Sequence, residues 1–323
     1  MIKNIVFFLS ILISSTTFAN EGQTNSYPTK PIRFLVGVAP GGGTDFVARL
    51  IAGKLSEKLH QPVIIDNRTG ATGTIALEIA AKALPDGYTF VVFNIGHLMS
   101  ALLARVKRVD AVKDFSPVGQ IATGTLLLAI NANIPAKNLT EFISYVRTRP
   151  GKLSYGSGGL GSTQQLAMEL LKQETHLDIL HVPYKGTGPI SVDLASGQIQ
   201  VAISNFLALY PHVKAGRLTA LAVASNVRNK SSPEIPTISE LGYPKVQTDL
   251  WQAILAPANT PNSIIKLISQ NIAEIVHQPE VIAKLSSQGG GPAGTSPEEF
   301  SRYLKVESIK WLTLAKEVNV TAD

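Results

Sequence analysis

Five residues in a row, Gly41, Gly42, Gly43, Thr44 and Asp45, follow a short apolar run and precede apolar positions at helical spacing. A glycine turn entering a helix leaves backbone N–H groups unpaired at the positive end of the helix dipole. No Cβ atoms stand in the way, so such a turn suits an anion. It is not a phosphate-binding P-loop. No Gly-Lys-Ser/Thr follows, and Asp45 stands where a lysine or hydroxyl would face phosphate. The same device recurs in Ser157-Gly-Gly-Leu-Gly-Ser-Thr163, where Gly158, Gly161, Ser162 and Thr163 form a second candidate cradle. Signals for bond-breaking chemistry are weaker. None of the six histidines has metal-ligand spacing with a second histidine and a carboxylate. Gly-x-Ser-x-Gly does not occur, and Ser263-Ile-Ile-Lys266 has no accompanying Lys-Thr-Gly, so it reads as chance. His97, next to Asn94 and Gly96 on a polar loop, is open to an acid–base role, but an ordinary loop histidine is the plainer reading. The sequence offers loops for holding a solute and little for changing one.

Alternating strands and helices must position these loops. Residues 34–39, 63–66 and 88–93 read as buried strands, separated by helical stretches and by the turns at 40–45, 67–73 and 94–97. A βαβαβ opening implies a parallel sheet with right-handed crossovers, which carries its ligands at the C-terminal strand ends. A second series begins near Leu126, with strands at 126–130, 153–156, 179–183, 200–204 and 218–224. Residues 225–244, broken by Pro233, Pro236 and Pro244, read as a connection between bodies. Beyond Ile254 three helices are expected, at 263–276, 279–288 and 297–318, covering the first sheet.

The chain has 323 residues, is 45% hydrophobic and 16% charged, and carries a formal charge of +6. It can bury a core, and its basic residues are scattered, so nucleic acid is not an expected partner. Residues 1–19 read as a secretory signal peptide: Lys3, an apolar stretch at 5–13, and Thr17-Phe-Ala19 before the cleavage point. There is no cysteine, which excludes a lipoprotein anchor, disulfides and thiolate chemistry. The expected product is an exported, soluble protein with no cofactor and no metal.

An ordered set of motifs resembles one family. It includes Tyr27-Pro-Thr-Lys-Pro-Ile-Arg33, Ala39-Pro-Gly-Gly-Gly-Thr-Asp45, Gln61-Pro-Val-Ile-Ile-Asp-Asn-Arg68, Pro85-Asp-Gly-Tyr88, Lys113-Asp-Phe-Ser-Pro-Val118, His181-Val-Pro-Tyr-Lys-Gly186, Pro233-Glu-Ile-Pro-Thr237 and Leu255-Ala-Pro257. The chain resembles the Bug family, the extracytoplasmic solute receptors of tripartite tricarboxylate transporters. The resemblance implies an α/β, two-lobed periplasmic binding protein fold, type II-like, each lobe a mostly parallel sheet flanked by helices. Lobe one would comprise 27–125 and 229–323, and lobe two 126–228. It also implies a binding protein, not an enzyme, that closes on a small carboxylate: a dicarboxylate, a tricarboxylate or an amino acid. Carried over by position, Gly42, Thr44 and Asp45 would face Gly161, Ser162 and Thr163, with Asn94, Tyr184 and Asn205 at the same edge. Two departures stand out: Ser204 where many relatives have aspartate, and Asp249 where many have a small polar residue. The expected partner is a membrane permease, the expected state a monomer. A signalling sensor as partner, or an exported α/β hydrolase, are the alternatives.

Overall fold

The computed structural model describes residues 27–317 except 42, 105, 185 and 288; the expected signal peptide lies outside the described residues. Two sheets organise the chain. The first holds β1 (Ile32–Val36), β2 (Val63–Asn67), β3 (Thr89–Asn94), β4 (Phe115–Gly124), β10 (Leu250–Pro257) and β11 (Gly290–Pro292), in the order β11-β4-β10-β3-β1-β2. The second holds β5 (Leu126–Asn131), β6 (Ser154–Ser157), β7 (Leu180–Pro183), β8 (Val201–Asn205) and β9 (Leu218–Val223), in the order β7-β6-β8-β5-β9.

Both sheets are mixed, which corrects the expectation of mostly parallel ones. β1 runs parallel to β2 and β3, and β6 parallel to β7 and β8. β10 is antiparallel to β3 and β4, β11 to β4, and β5 to β8 and β9. Of the strands that run against their neighbours, β5 and β10 are those by which the chain enters the second sheet and returns to the first. β4 passes into β5 across the single residue Thr125, and Leu250 pairs back with Gly124, so both crossings run side by side.

β4, β10 and β11 were not legible in sequence. β4 is interrupted by Pro117, Gly119 and Gln120, and its pairing with β10 shifts register twice. The apolar run of β10 fits a buried helix as well as a strand. Residues 225–244, expected as a connection between bodies, instead stay on the second sheet, as does the chain up to Thr248. Thr237 bridges Val223, Ile238 N donates to Val223 O, and Thr248 N donates to Ala224 O.

α1 (Gly43–Leu59) and α8 (Asn262–Val276) cover one face of the first sheet through Ile51, Leu55, Ile268 and Ile272. α6 (Thr187–Ser196) and α7 (Phe206–Lys214) cover one face of the second. The remaining faces share a core that joins the sheets, because α3 (Ile95–Leu103), α5 (Thr163–Thr175) and α10 (Pro297–Glu317) pack together. Trp251, on the returning strand, is wedged among Phe93, Phe300 and Tyr303 with ring centroids 5.7, 5.7 and 5.9 Å away. The remaining helices are α2 (Thr74–Ala81), α4 (Leu139–Arg147) and α9 (Pro279–Ser287).

Candidate functional site

The cleft between the sheets holds two cavities. The first, about 380 Å³, is lined by Gly41 and Gly43, by the crossing strands at Ala122, Thr123, Gly124, Thr125, Leu250 and Gln252, and by Thr187, Gly188, Asn205 and Phe206. Three helices begin there: α1 at Gly43, α6 at Thr187 and α7 at Phe206. Asn205, the residue before α7, makes no side-chain cap bond, so its amide is free to turn into the cavity. No charged side chain is among the described residues lining this cavity. The second cavity, about 590 Å³, is lined by Ala71, Thr72, Thr74, Glu78, Ser100 and Arg108 on one side, and by Gly158, Gly159, Leu160 and Ser162 on the other. Its turn is strained: Ala71 and Thr72 sit at φ 45° and 52°, a region that a β-branched residue rarely adopts. The two glycine turns therefore face different cavities of one cleft, not a single shared one.

The Asp45 carboxylate is engaged by its own turn and by Asn67. It is buried, and both carboxylate oxygens are taken. Oδ2 accepts from Gly41 N at 2.9 Å and Arg49 Nε at 2.9 Å; Oδ1 accepts from Arg49 Nη2 at 3.1 Å and Asn67 Nδ2 at 2.8 Å. Burial alone would raise this carboxyl. The hydrogen bonds from Arg49, Gly41 and Asn67 outweigh it and hold the group below the usual carboxylate range. Thr44 accepts from Asn94 Nδ2 at 3.0 Å, while Asn94 Oδ1 caps α3 by accepting from His97 N at 2.9 Å. Residues 94–97 are thus a strand end and a capped helix start, where a polar loop was expected. Gly96 lies in that first turn, where a Cβ would come within 3.2 Å of Asn94 Oδ1.

His97 is 2% exposed, and neither ring nitrogen has a hydrogen-bond partner. Burial lowers its pKa to about 4, so the ring is neutral. It fills space that two glycines leave: a Cβ on Gly37 would be 2.6 Å from Nε2, and one on Gly73 2.2 Å. It is sealed from the cleft and has no route to act as acid or base on a solute.

In the second sheet, Ser162 caps α5, its Oγ accepting from Gln165 N at 3.2 Å. Gly161, at φ 71°, donates to Gln165 Oε1 at 2.8 Å, and Thr163 is buried at the first helical position. Tyr184 turns away, donating to Asp193 Oδ2 at 2.7 Å; burial and that carboxylate push its hydroxyl up to about 12. Asp249 lies at the returning crossing, where it accepts from Asn226 N at 3.2 Å and from Asn226 Nδ2. Burial raises it above the ordinary range, although Asn226 and Lys310 oppose the shift. It is not among the residues lining either cavity. Ser204 is fully buried. Gly42 lies outside the described residues.

The family model described as tripartite tricarboxylate transporter family receptor matches residues 47–320. The chain belongs to this receptor family. The receptor is 32% identical over 311 residues to the protein BugT of Bordetella pertussis (strain Tohama I), spanning 96% of this chain and 95% of BugT. It is similar in structure to R. palustris Rpa4515, solved with adipate, at TM-score 0.83 and 37% identity, over 91% of this chain and 99% of that one. It is also similar to MatC (Rpa3494) from Rhodopseudomonas palustris with bound malate, at TM-score 0.78 and 30% identity, over 89% and 99%. The family and these neighbours are solute-binding receptors, and this chain is a receptor, not an enzyme. The two-lobed α/β fold is theirs as well. No described helix is long and apolar enough to cross a membrane.

Sequence reasoning found Gly41, Gly43 and Asn205 in the first cavity, and Gly158 and Ser162 in the second. It missed Thr187, Gly188, Gln252, Thr72, Ser100 and Arg108. The turn holding Thr187 was legible as strand, glycine turn, helix, but its tyrosine was chosen over its threonine. Arg108 and Gln252 carried no local signal; only the crossing strands and the end of α3 bring them to the cleft.

Proposed function

We propose that this receptor, exported to the periplasm as a monomer after loss of residues 1–19, captures a small organic dicarboxylate between its lobes and hands it to a membrane permease. One observation carries the reading: three helix N-termini meet at a cavity with no described charged lining side chain. Each N-terminus presents roughly half a positive charge and stabilises an anion by ~0.3–1 kcal/mol, up to ~2 where partly buried. An anion held by backbone and hydroxyl donors needs no fixed cation, so closing the cleft around it strands no unpaired charge when the solute leaves. Adipate and malate, bound by the neighbours, are both dicarboxylates.

The lobes of this reading are 27–125 with 250–317, and 126–249, the boundary moving from Arg228 because 225–249 is hydrogen bonded to β9. Gly41, Gly43 and Thr44 form one jaw, which Asp45 braces from behind. The second lobe forms the other, with Thr187, Gly188 and Asn205 at the first cavity and the 158–163 turn at the second, and it swings on the crossings at Thr125 and Asp249. The test is a melting screen with adipate, malate and other di- and tricarboxylates. A true solute at about 100 times its Kd adds ~2.7 kcal/mol to stability and is recovered unchanged. No shift with any of them at millimolar concentration defeats the reading.

A further inference from the structure

The 158–163 turn is held from behind by a chain of neutral groups. Ser157, fully buried at the end of β6, has Oγ 2.7 Å from His181 Nε2 and 3.2 Å from both O and N of Gly159. His181, on β7, stacks on Tyr155 with centroids 4.8 Å apart. Its Nδ1 lies 3.5 Å from Gln165 Nε2, and Gln165 Oε1 accepts from Gly161 N at 2.8 Å. One imidazole thus reaches both limbs of the turn: Gly159 through a serine, Gly161 through a glutamine. Both glycines hold positive φ, 113° and 71°, and do not stay there by side-chain packing of their own.

The donors and acceptors admit one proton arrangement. Gly161 N–H can only donate, so it fixes Gln165 with oxygen toward the turn and NH₂ toward the ring. An amide NH₂ can only donate, so Nδ1 carries a lone pair and the proton is on Nε2. Nε2–H donates to Ser157 Oγ, and the Ser157 hydroxyl donates to Gly159 O. A second proton would go on Nδ1 and point at the Gln165 NH₂, donor against donor. Relief requires the amide to turn over, which takes Oε1 from Gly161 N. Around the ring, Glu169 Oε1 accepts from Tyr155 Oη at 2.6 Å and Lys172 Nζ at 2.9 Å, so that carboxylate is committed. Burial holds the imidazole below its ordinary value, Lys172 acting in the same direction and Glu169 against it.

We infer that His181 is a positioning residue of the solute site: neutral, it locks the 158–163 turn in its receptive shape, and protonated, it releases it. The inference rests on the reading above that this turn belongs to one jaw of the cleft.

The experiment has two arms. The first needs no solute: ¹⁵N-labelled receptor is followed by NMR from pH 7.5 to 5. The expected ring is the Nε2–H tautomer at pH 7.5, titrating below 6.5, and the Gly159 and Gly161 amide signals move with the same midpoint. In Ser157→Ala only Gly161 follows the ring, and in His181→Gln neither amide titrates. An Nδ1–H tautomer, or glycine amides indifferent to the ring's titration, overturns the inference. The second arm measures adipate affinity by calorimetry at pH 7.5 and 5. The wild type should weaken by about threefold or more beyond the change in His181→Gln, which reports protonation of adipate itself; equal changes overturn it. Coupled titration without adipate binding sinks the assignment of solute but leaves the lock in place. Adipate binding without coupled titration sinks the lock alone.

Discussion

The two glycine turns begin alike, as strand, glycine, hydroxyl and helix, and are fastened by different chemistry. The 41–45 turn is held by charge: the Asp45 carboxylate takes four donors, two of them from Arg49. The 158–163 turn is held by neutral groups, Ser157, His181 and Gln165. Of the two histidines near these turns, His97 lies against Gly37 and Gly73 with its ring nitrogens unpartnered, while His181 is wired into the 158–163 turn. A carboxylate held below its usual range keeps its charge at any pH a periplasm meets. A half-buried imidazole does not keep its neutrality. The same backbone device thus yields one fixed jaw and one that responds to acid.

The largest effect that would sharpen this contrast concerns His97. Its folded pKa is about 4 against an ordinary value of 6.5, so between these values the unfolded chain binds a proton that the folded chain does not. The stability this neutral ring contributes is complete above pH 6.5 and is lost as pH falls toward 4. The loss amounts to about 3 kcal/mol. Urea unfolding at pH 7 and 4.5 should show it in the wild type, and His97→Gln should remove most of it. An acid loss that is the same in both proteins places the sensitive group elsewhere.

The second effect is Asp45→Ala. It leaves Gly41 N without its acceptor, while Asn67 Nδ2 keeps Val38 O, Arg49 Nη2 keeps Asn67 Oδ1, and the Arg49 side chain, 52% exposed, regains water. A loss of about 2–3 kcal/mol follows, below the full cost of a broken buried pair. Asp45→Asn keeps an acceptor for Gly41 N and should cost about half as much. Urea midpoints compare the three proteins. If Asp45→Ala stays within about 0.5 kcal/mol of wild type, the first turn is not fastened by charge.

How much of this contrast could be read beforehand differs between turns. Strand, glycine and helix signals are local, so both turns, the Ser162 cap and the two series of elements were legible. The partners that fasten them are not local. Asn67 reaches Asp45 only because β2 lies beside β1, and His181 reaches Ser157 only because β7 pairs with β6. Asp45 was read as a candidate solute contact because a sequence shows a carboxylate in a glycine loop but not the arginine one helical turn later closing on it. The crossing strands were missed for a related reason: β10 earns its place by lying between β3 and β4, not by its own pattern.

The smallest effect on stability is the most telling about function. Gly43 lies in the first turn of α1 and lines the first cavity. A Cβ added there meets no protein atom within 4 Å, and its backbone is not left-handed. Gly43→Ala should therefore leave stability unchanged or raise it by up to ~1 kcal/mol, as alanine does in place of helical glycine. The new methyl stands where a solute carboxylate would meet the N-terminus of α1, so adipate affinity should fall by about tenfold, or ~1.4 kcal/mol. Gly41→Ala is the control. It also adds a methyl with room around it, but at φ 86°, so it costs stability through strain. Melting curves and calorimetry on both variants separate a turn that is merely fastened from one that touches the solute. If Gly43→Ala binds adipate as tightly as wild type, the charge-fastened turn holds the fold together and the neutral turn does the binding.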